Sequence, residues 1–276
     1  MAPKHVSPVL AILFLLLSLP IVEAKQSDLE TKKKRTPKTE WGHLRGRFEF
    51  SGKIPPAKLL TISQDKAHCG NHTLYDESLV VDPNKKGISN IFISLRLKRG
   101  KKIASHEDYA ETLKTAITLD NTQCQFVPHA LFIRTGQVLE IRNLDKVGHN
   151  TRINTPKNST INPMIPAGGI LKHQFTKGES IPAEVSCSVH PWMSAWIWVV
   201  DHPYVALTDS QGNFEIRNLP AGEWTFQVWH EKSGYLKEVT HNGKLTTFKR
   251  GRFTATIEGG KTNDLGTLSV NSTTFK

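Results

Sequence analysis

Helix signals are scarce in this chain, and so are soft metal-ligating residues. There are three cysteines and three methionines in 276 residues. Only "HEDYAETLKTA", from His106 to Ala116, has the spacing of a helical turn or two, with Ser105 as its expected N-cap. No stretch after Val22 is apolar enough to span a bilayer, and no repeat of solenoid period is visible. The three cysteines, Cys69, Cys124 and Cys187, exclude a disulfide-dense scaffold, and their odd number leaves one without a partner inside the chain.

The first 24 residues carry the one long apolar run, Val9 to Val22, broken by Ser18 and Pro20. Lys4 and His5 precede it, and Val22-Glu23-Ala24 offers small residues at −3 and −1 of a cleavage point. The run is shorter than the roughly 20 apolar residues a spanning helix needs, so residues 1–24 read as a secretory signal. Export implies a periplasmic or extracellular location, with no transmembrane segment after cleavage. "KKKRTPKTE" follows, nearly devoid of apolar residues, and residues 25–40 read as a basic disordered linker. Lys and Arg total 36 against 25 Asp and Glu, a formal charge of +11. Export argues against nucleic acid as the counterpart. An acidic protein partner or a cell surface fits better.

Elsewhere short period-two runs are bounded by Gly, Pro, Asn and Asp: "LRGRFEFSG", "NIFISLRLKRG", "HALFIRTGQVLEIRN", "WIWVVD", "NFEIRNLP", "WTFQVWHE". This is the pattern of all-β sandwiches. Three regions follow: a β-rich stretch with long loops at 41–112, a middle region at 113–200, and 201–276.

The middle region contains "CSVHPWM", which sets Cys187, His190 and Met193 at the spacing Cys-x2-His-x2-Met. Thiolate, imidazole and thioether together favour copper; zinc suits Cys and His but rarely takes a thioether. A trigonal His2Cys set with a long axial Met needs one more His. "NLDKVGHN" supplies it as His149, six residues after Asn143. No Glu or Asp stands directly next to a ligand in either motif to serve as the general base of a hydrolytic zinc enzyme. The residues on either side of Cys187 are serines, so the bridging His-Cys-His pattern of multicopper enzymes is absent. If Cys187 is a metal thiolate, Cys69 and Cys124 are left to pair. Otherwise Cys187 belongs to the disulfide and another cysteine is free.

On these motifs, residues 113–200 resemble a cupredoxin. "CSVHPWM" is similar to the short Cys–His–Met loop of amicyanin, "NLDKVGHN" to the stretch that carries the first His ligand, and "FVPHALFIRTGQVLEIRN" to the strands before it. Two departures stand out: Val185 occupies the usual aromatic position before the Cys, and "KGESIPAEVSC" replaces the usual Pro-Gly-x-Tyr approach. The resemblance implies one type 1 copper held by His149, Cys187, His190 and Met193, with Asn150 and Asn143 supporting the loops. It implies an electron carrier rather than an enzyme, with the His190 ring edge as a surface port and Pro191 and Trp192 as a docking rim. A copper-binding or copper-sensing module without an electron-carrier role, or a structural or interaction protein with a cupredoxin fold, remains the other reading. His129, His202 and His230 are further candidates for a second metal.

Residues 208–224 carry Thr208, Asp209, Gly212, Phe214, Ile216, Leu219, Pro220, Gly222 and Trp224 at the spacing of a carboxypeptidase regulatory-like (transthyretin-like) β-sandwich, and they resemble it. That family opens with a strand like residues 43–60. The resemblance therefore implies a sandwich shared between 41–112 and 201–276, with the cupredoxin inserted. The layout is similar to exported proteins loosely named for methylamine utilisation.

Overall fold

The computed structural model describes residues 39–98 and 100–275. The expected signal and almost all of the basic linker lie outside them. Among the described residues no helix is long and apolar enough to cross a membrane. Over the described residues the chain is all-β, with two short α-helices, Lys66–Cys69 and Asp108–Lys114. The second falls inside the expected helical stretch, but its N-cap is Glu107 and no side chain caps it. Ser105 is not the cap; the His106 ring takes the N–H of Asp108 instead, at 3.2 Å.

Two sheets enclose one core. In the first, the strand order is Asn213–Pro220, Trp41–Ser51, Thr262–Asn271, Glu238–His241, Lys244–Thr247. In the second, Val205–Leu207, Phe92–Leu95, Gly222–His230 and Gly234–Tyr235 are neighbours, and Arg252–Ile257 also pairs with Gly222–His230. Strands from 41–112 thus pair with strands from 201–276 in both sheets. The alternation in Trp41–Ser51 explains the packing: Leu44, Phe48 and Phe50 point inward and are fully buried or nearly so. They share a core with Ile93, Phe226 and Val228 of the facing sheet and with Ile91 and Tyr204 just before two of its strands. Gly212, at φ +81°, makes the turn before Asn213. A side chain there would collide with the Phe48 carbonyl, so the position requires glycine.

The region between forms a second pair of sheets. One orders Ile170–Gln174, Val138–Asn143, Ile117–Thr122 and Gln125–Val127; the other orders Ala130–Arg134, Ser194–Val200, Ala183–Ser186 and Arg152–Ile153. Two of their strand pairs are parallel, Ile117–Thr122 on Val138–Asn143 and Ser194–Val200 on Ala130–Arg134. Leu119, Phe126, Leu131, Ile141, Val185 and Ile197 fill this core. A third cluster joins the sandwiches: Phe92 and Trp229 from one pack against Ala130, Trp198 and Val200 of the other. The Phe92 ring stands edge-on to Trp198 and Trp229, at 6.0 and 5.7 Å between centroids.

Between Gly52 and Ile91 the chain is largely irregular. Its one helical turn, Lys66–Cys69, is bound to the second core by the Cys69–Cys124 disulfide. The hydrogen bond from Leu60 N–H to the Leu74 carbonyl, 2.9 Å, closes the base of this excursion.

Candidate metal centre

His149 and Asn150 form a two-residue strand against Met164–Ile165, at the end of a turn that leaves Asn143. The Asn143 side chain sets that turn. Its amide donates to the Val147 and Ile165 carbonyls at 2.8 and 2.9 Å, and its oxygen accepts the Asp145 N–H at 3.0 Å. Cys187 follows the Ala183–Ser186 strand, and Met193 precedes the Ser194–Val200 strand, so the loop between them is a hairpin tip. Within it Met193 N–H donates to the His190 carbonyl at 2.9 Å and Cys187 N–H to the Met193 carbonyl at 3.4 Å. Asn150 ties the two loops together: its side-chain oxygen accepts the N–H groups of Ser188 and Val189 at 2.8 and 3.2 Å.

The result is convergence. One ligand atom each from His149, Cys187 and His190 lie within 4.8 Å of one another, and all three residues are buried. Cys187 Sγ is 3.8 Å from His190 Nδ1, and the two imidazole centroids are 4.5 Å apart. Met193 is 2% exposed and packs in the core beneath the loop. Both rings are oriented from behind. Asp145 Oδ2 takes the Nε2 of His149 and Asp65 Oδ2 the Nε2 of His190, each at 2.9 Å. A hydrogen-bonded Nε2 leaves the other nitrogen free to ligate. His149 Nδ1 is indeed buried without a hydrogen-bond partner. Buried polar atoms rarely stay unpaired, so an orphan beside a thiol and a second imidazole fits a metal donor. Two nitrogens and a thiolate, with Met193 buried in the same loop, suit copper.

The electrostatics agree. Burial raises the Cys187 thiol, but His149 and the backbone N–H groups of His190, Asn150 and Val189 outweigh it, and the net direction is down, towards thiolate. Burial pushes His149 down, while the Asp145 hydrogen bond and Cys187 carry it up. Burial lowers His190, and Asp65 offsets this only in part. Asp145 is the hub. Burial opposes its charge, yet bonds from His149, Cys124 N–H and Gln123 N–H, with the His68 ring 3.3 Å away, hold its carboxyl far below the usual range.

His190 is not a surface port. It is fully buried, where the sequence reading has its ring edge exposed. The excursion at 59–76 is the reason: the disulfide holds Lys66–Cys69 against the core, and Asp65, just before it, sits on Nε2. Asp65 adopts a left-handed φ of 46° to do so. Trp192 is half-buried, with its indole N–H on the Cys124 carbonyl at 3.1 Å, and of the expected docking rim only Pro191 is exposed. No local pattern announces Asp65, because it lies 125 positions from His190.

The other histidines stand apart from this group. His202 uses both nitrogens on backbone, Nε2 on the Leu95 carbonyl at 2.8 Å and Nδ1 on the Tyr204 N–H at 3.3 Å. His230 Nδ1 accepts the Lys232 N–H at 3.2 Å, and burial drives its pKa down to about 3. Among the described residues neither joins a group of donors close enough to share an ion. His129 is held at Nε2 by Glu231, which also accepts the Trp196 indole N–H at 2.8 Å. The thiol left free is Cys187.

Neither a protein-family model nor a curated protein matches the chain. Among solved structures, partial likenesses are to copper proteins. A Cu-containing nitrite reductase from Thermus scotoductus is 21% identical at TM-score 0.29, and the match covers 38% of this chain but a quarter of that one. A purple cupredoxin from Nitrosopumilus maritimus is 23% identical at TM-score 0.25, over 30% of this chain and 97% of that one. A variant of amicyanin in its Cu(I) form is 18% identical at TM-score 0.28, over 39% and 97%. Likenesses this partial leave the site to be read from its own donors.

Proposed function

We propose that this chain is an exported copper protein of the cupredoxin kind, holding one type 1 copper and passing single electrons between redox partners. The observation that carries the reading is the buried, unpartnered His149 Nδ1 within 4.8 Å of the Cys187 and His190 donor atoms. Bound copper supplies a one-electron couple at a thiolate. The chain's own residues supply the rest. Asp145 and Asp65 hold the two imidazoles by Nε2, so their rings need not turn when charge changes. His149 and the backbone N–H groups of His190, Asn150 and Val189 around Cys187 favour its thiolate form. Burial of all three donors excludes water and substrate, which argues for carriage rather than turnover. The partner is a redox protein, and the +11 formal charge favours an acidic face on it. The other sandwich is proposed as a carboxypeptidase regulatory-like module, with Phe214, Ile216 and Leu219 in its core.

The test is copper titration of the purified chain followed by visible absorption. One equivalent is expected to give an intense thiolate-to-copper charge-transfer band that Cys187→Ala abolishes. A loaded protein without that band, but with copper still bound, would favour a storage or sensing role over electron carriage.

A further inference from the structure

A second cluster among the described residues brings together donors of the same kind. Cys124 Sγ, a His68 ring nitrogen and an Asp145 carboxylate oxygen lie within 4.8 Å of one another. The fourth member is Cys69, adjacent to His68 in sequence and bonded to Cys124. While that bond stands the sulfurs are poor donors, since thiolate is the ligand form of cysteine. The remaining parts are already in place. Asp145 is fixed by the N–H groups of Gln123 and Cys124 at 2.7 and 2.8 Å. Those residues are the two centres of a hairpin turn, both at positive φ, 53° and 59°, which aims both N–H groups at the carboxylate. His68 Nε2 lies 3.3 Å from Asp145 Oδ1, yet it is buried and makes no hydrogen bond. A buried imidazole nitrogen with no well-formed hydrogen bond, set beside a carboxylate and a disulfide, is placed to ligate once the sulfurs become thiolates.

We infer that reduction of Cys69–Cys124 creates a second metal site, for zinc or copper(I), with Cys69, Cys124, His68 and Asp145 as its donors. Two thiolates, an imidazole and a carboxylate form a closed four-donor set suited to either ion. The chemistry balances with a dithiol reductant. Its two thiols become a disulfide, the Cys69–Cys124 bond takes up the two electrons and two protons, and metal binding then releases both protons. Both cysteines are fully buried, so the reductant gains access when the 59–76 excursion opens locally. The two sites are neighbours and not independent. The second shares Asp145 with His149, whose Nε2 bonds the other carboxylate oxygen.

The experiment uses the full chain with Cys187→Ser, which removes the thiolate of the first site. Zinc alone is titrated against a chromophoric chelator, with the disulfide intact and after reduction by a phosphine, whose oxide takes its oxygen from water. Thiol titration counts the cysteines released. The reduced protein is expected to bind one equivalent of zinc on the order of 100-fold or more tighter than the oxidised protein, and His68→Ala, which keeps the disulfide, to lose most of that gain. Equal zinc binding before and after reduction overturns the proposal. So does a gain that survives His68→Ala, or a disulfide that no reductant opens in the folded chain.

Discussion

Each imidazole of the candidate copper site is held by a carboxylate, and Asp65 comes from far outside the ligand loops. An anionic acceptor on Nε2–H makes the imidazole a stronger donor and favours the more highly charged metal. Asp65→Asn keeps an acceptor but removes the charge. It is expected to raise the reduction potential of the copper-loaded protein and to weaken copper(II) binding about tenfold. Redox titration and competition with a copper chelator measure the two effects, and an unchanged potential would remove Asp65 from the tuning of the site. The convergence of His149, Cys187 and His190 was legible in the sequence, because Cys187 and His190 share one loop and Asn143, His149 and Asn150 another. The carboxylate that buries His190 was not, since no spacing rule connects residues 125 positions apart. Asp145, in contrast, lies four positions from His149 and within the quoted motif. Its place there marked no role, because the sequence shows nothing of the turn at Gln123 and Cys124 that fixes it.

At the scale of elements, period-two alternation fixes strands wherever one face is buried, as in Trp41–Ser51 and Val138–Asn143. It is silent over 52–91, where the chain earns its place by covalent and side-chain ties rather than by a ladder. The main tie is the disulfide, which closes a loop of 55 residues. Loop-closure entropy at this length corresponds to about 4 kcal/mol. The double variant Cys69→Ala/Cys124→Ala is therefore expected to lose about that much stability by denaturant unfolding, with the m-value as a check on two-state behaviour. It is also expected to loosen the cover over His190. Amide exchange should rise across 59–76 in the variant while the Ser194–Val200 strand stays protected. Uniform exchange increases would mean that the disulfide stabilises the whole chain and not the cover.

Across the whole molecule, what escapes a linear reading is which distant strands pair. Trp41–Ser51 lies antiparallel to Asn213–Pro220 and parallel to Thr262–Asn271, across more than 160 residues, and composition says nothing of that register. The junction of the two sandwiches is equally non-local, and close to it lies a group that couples the fold to pH. His230 ends the Gly222–His230 strand, is 1% exposed, and stacks edge-on against Phe275 at 5.2 Å. Burial first, then the positive charges of His129 and Lys232, lower its pKa to about 3, against a slight upward pull from the Ser89 backbone. The unfolded chain has an ordinary His there, with a pKa of about 6.5. Above that value both states are neutral, and the full stability is present. As pH falls from about 6.5 towards 3, only the unfolded chain takes up the proton, so stability declines by up to about 1.4 kcal/mol per pH unit from this residue. His202, buried and lowered the same way, adds to the decline. His129 works in the opposite sense. Burial lowers it, but Glu231 and Glu77 raise it overall, so its contribution is present below about pH 6.5 and is lost as pH rises through its elevated pKa. His230→Gln removes one titration while retaining a polar side chain. Denaturant unfolding at pH 7 and pH 5 should then show a smaller acid loss in the variant than in the wild type, by about 2 kcal/mol. Equal losses would show that His230 is protonated in the folded state and that the acid sensitivity of the fold arises elsewhere.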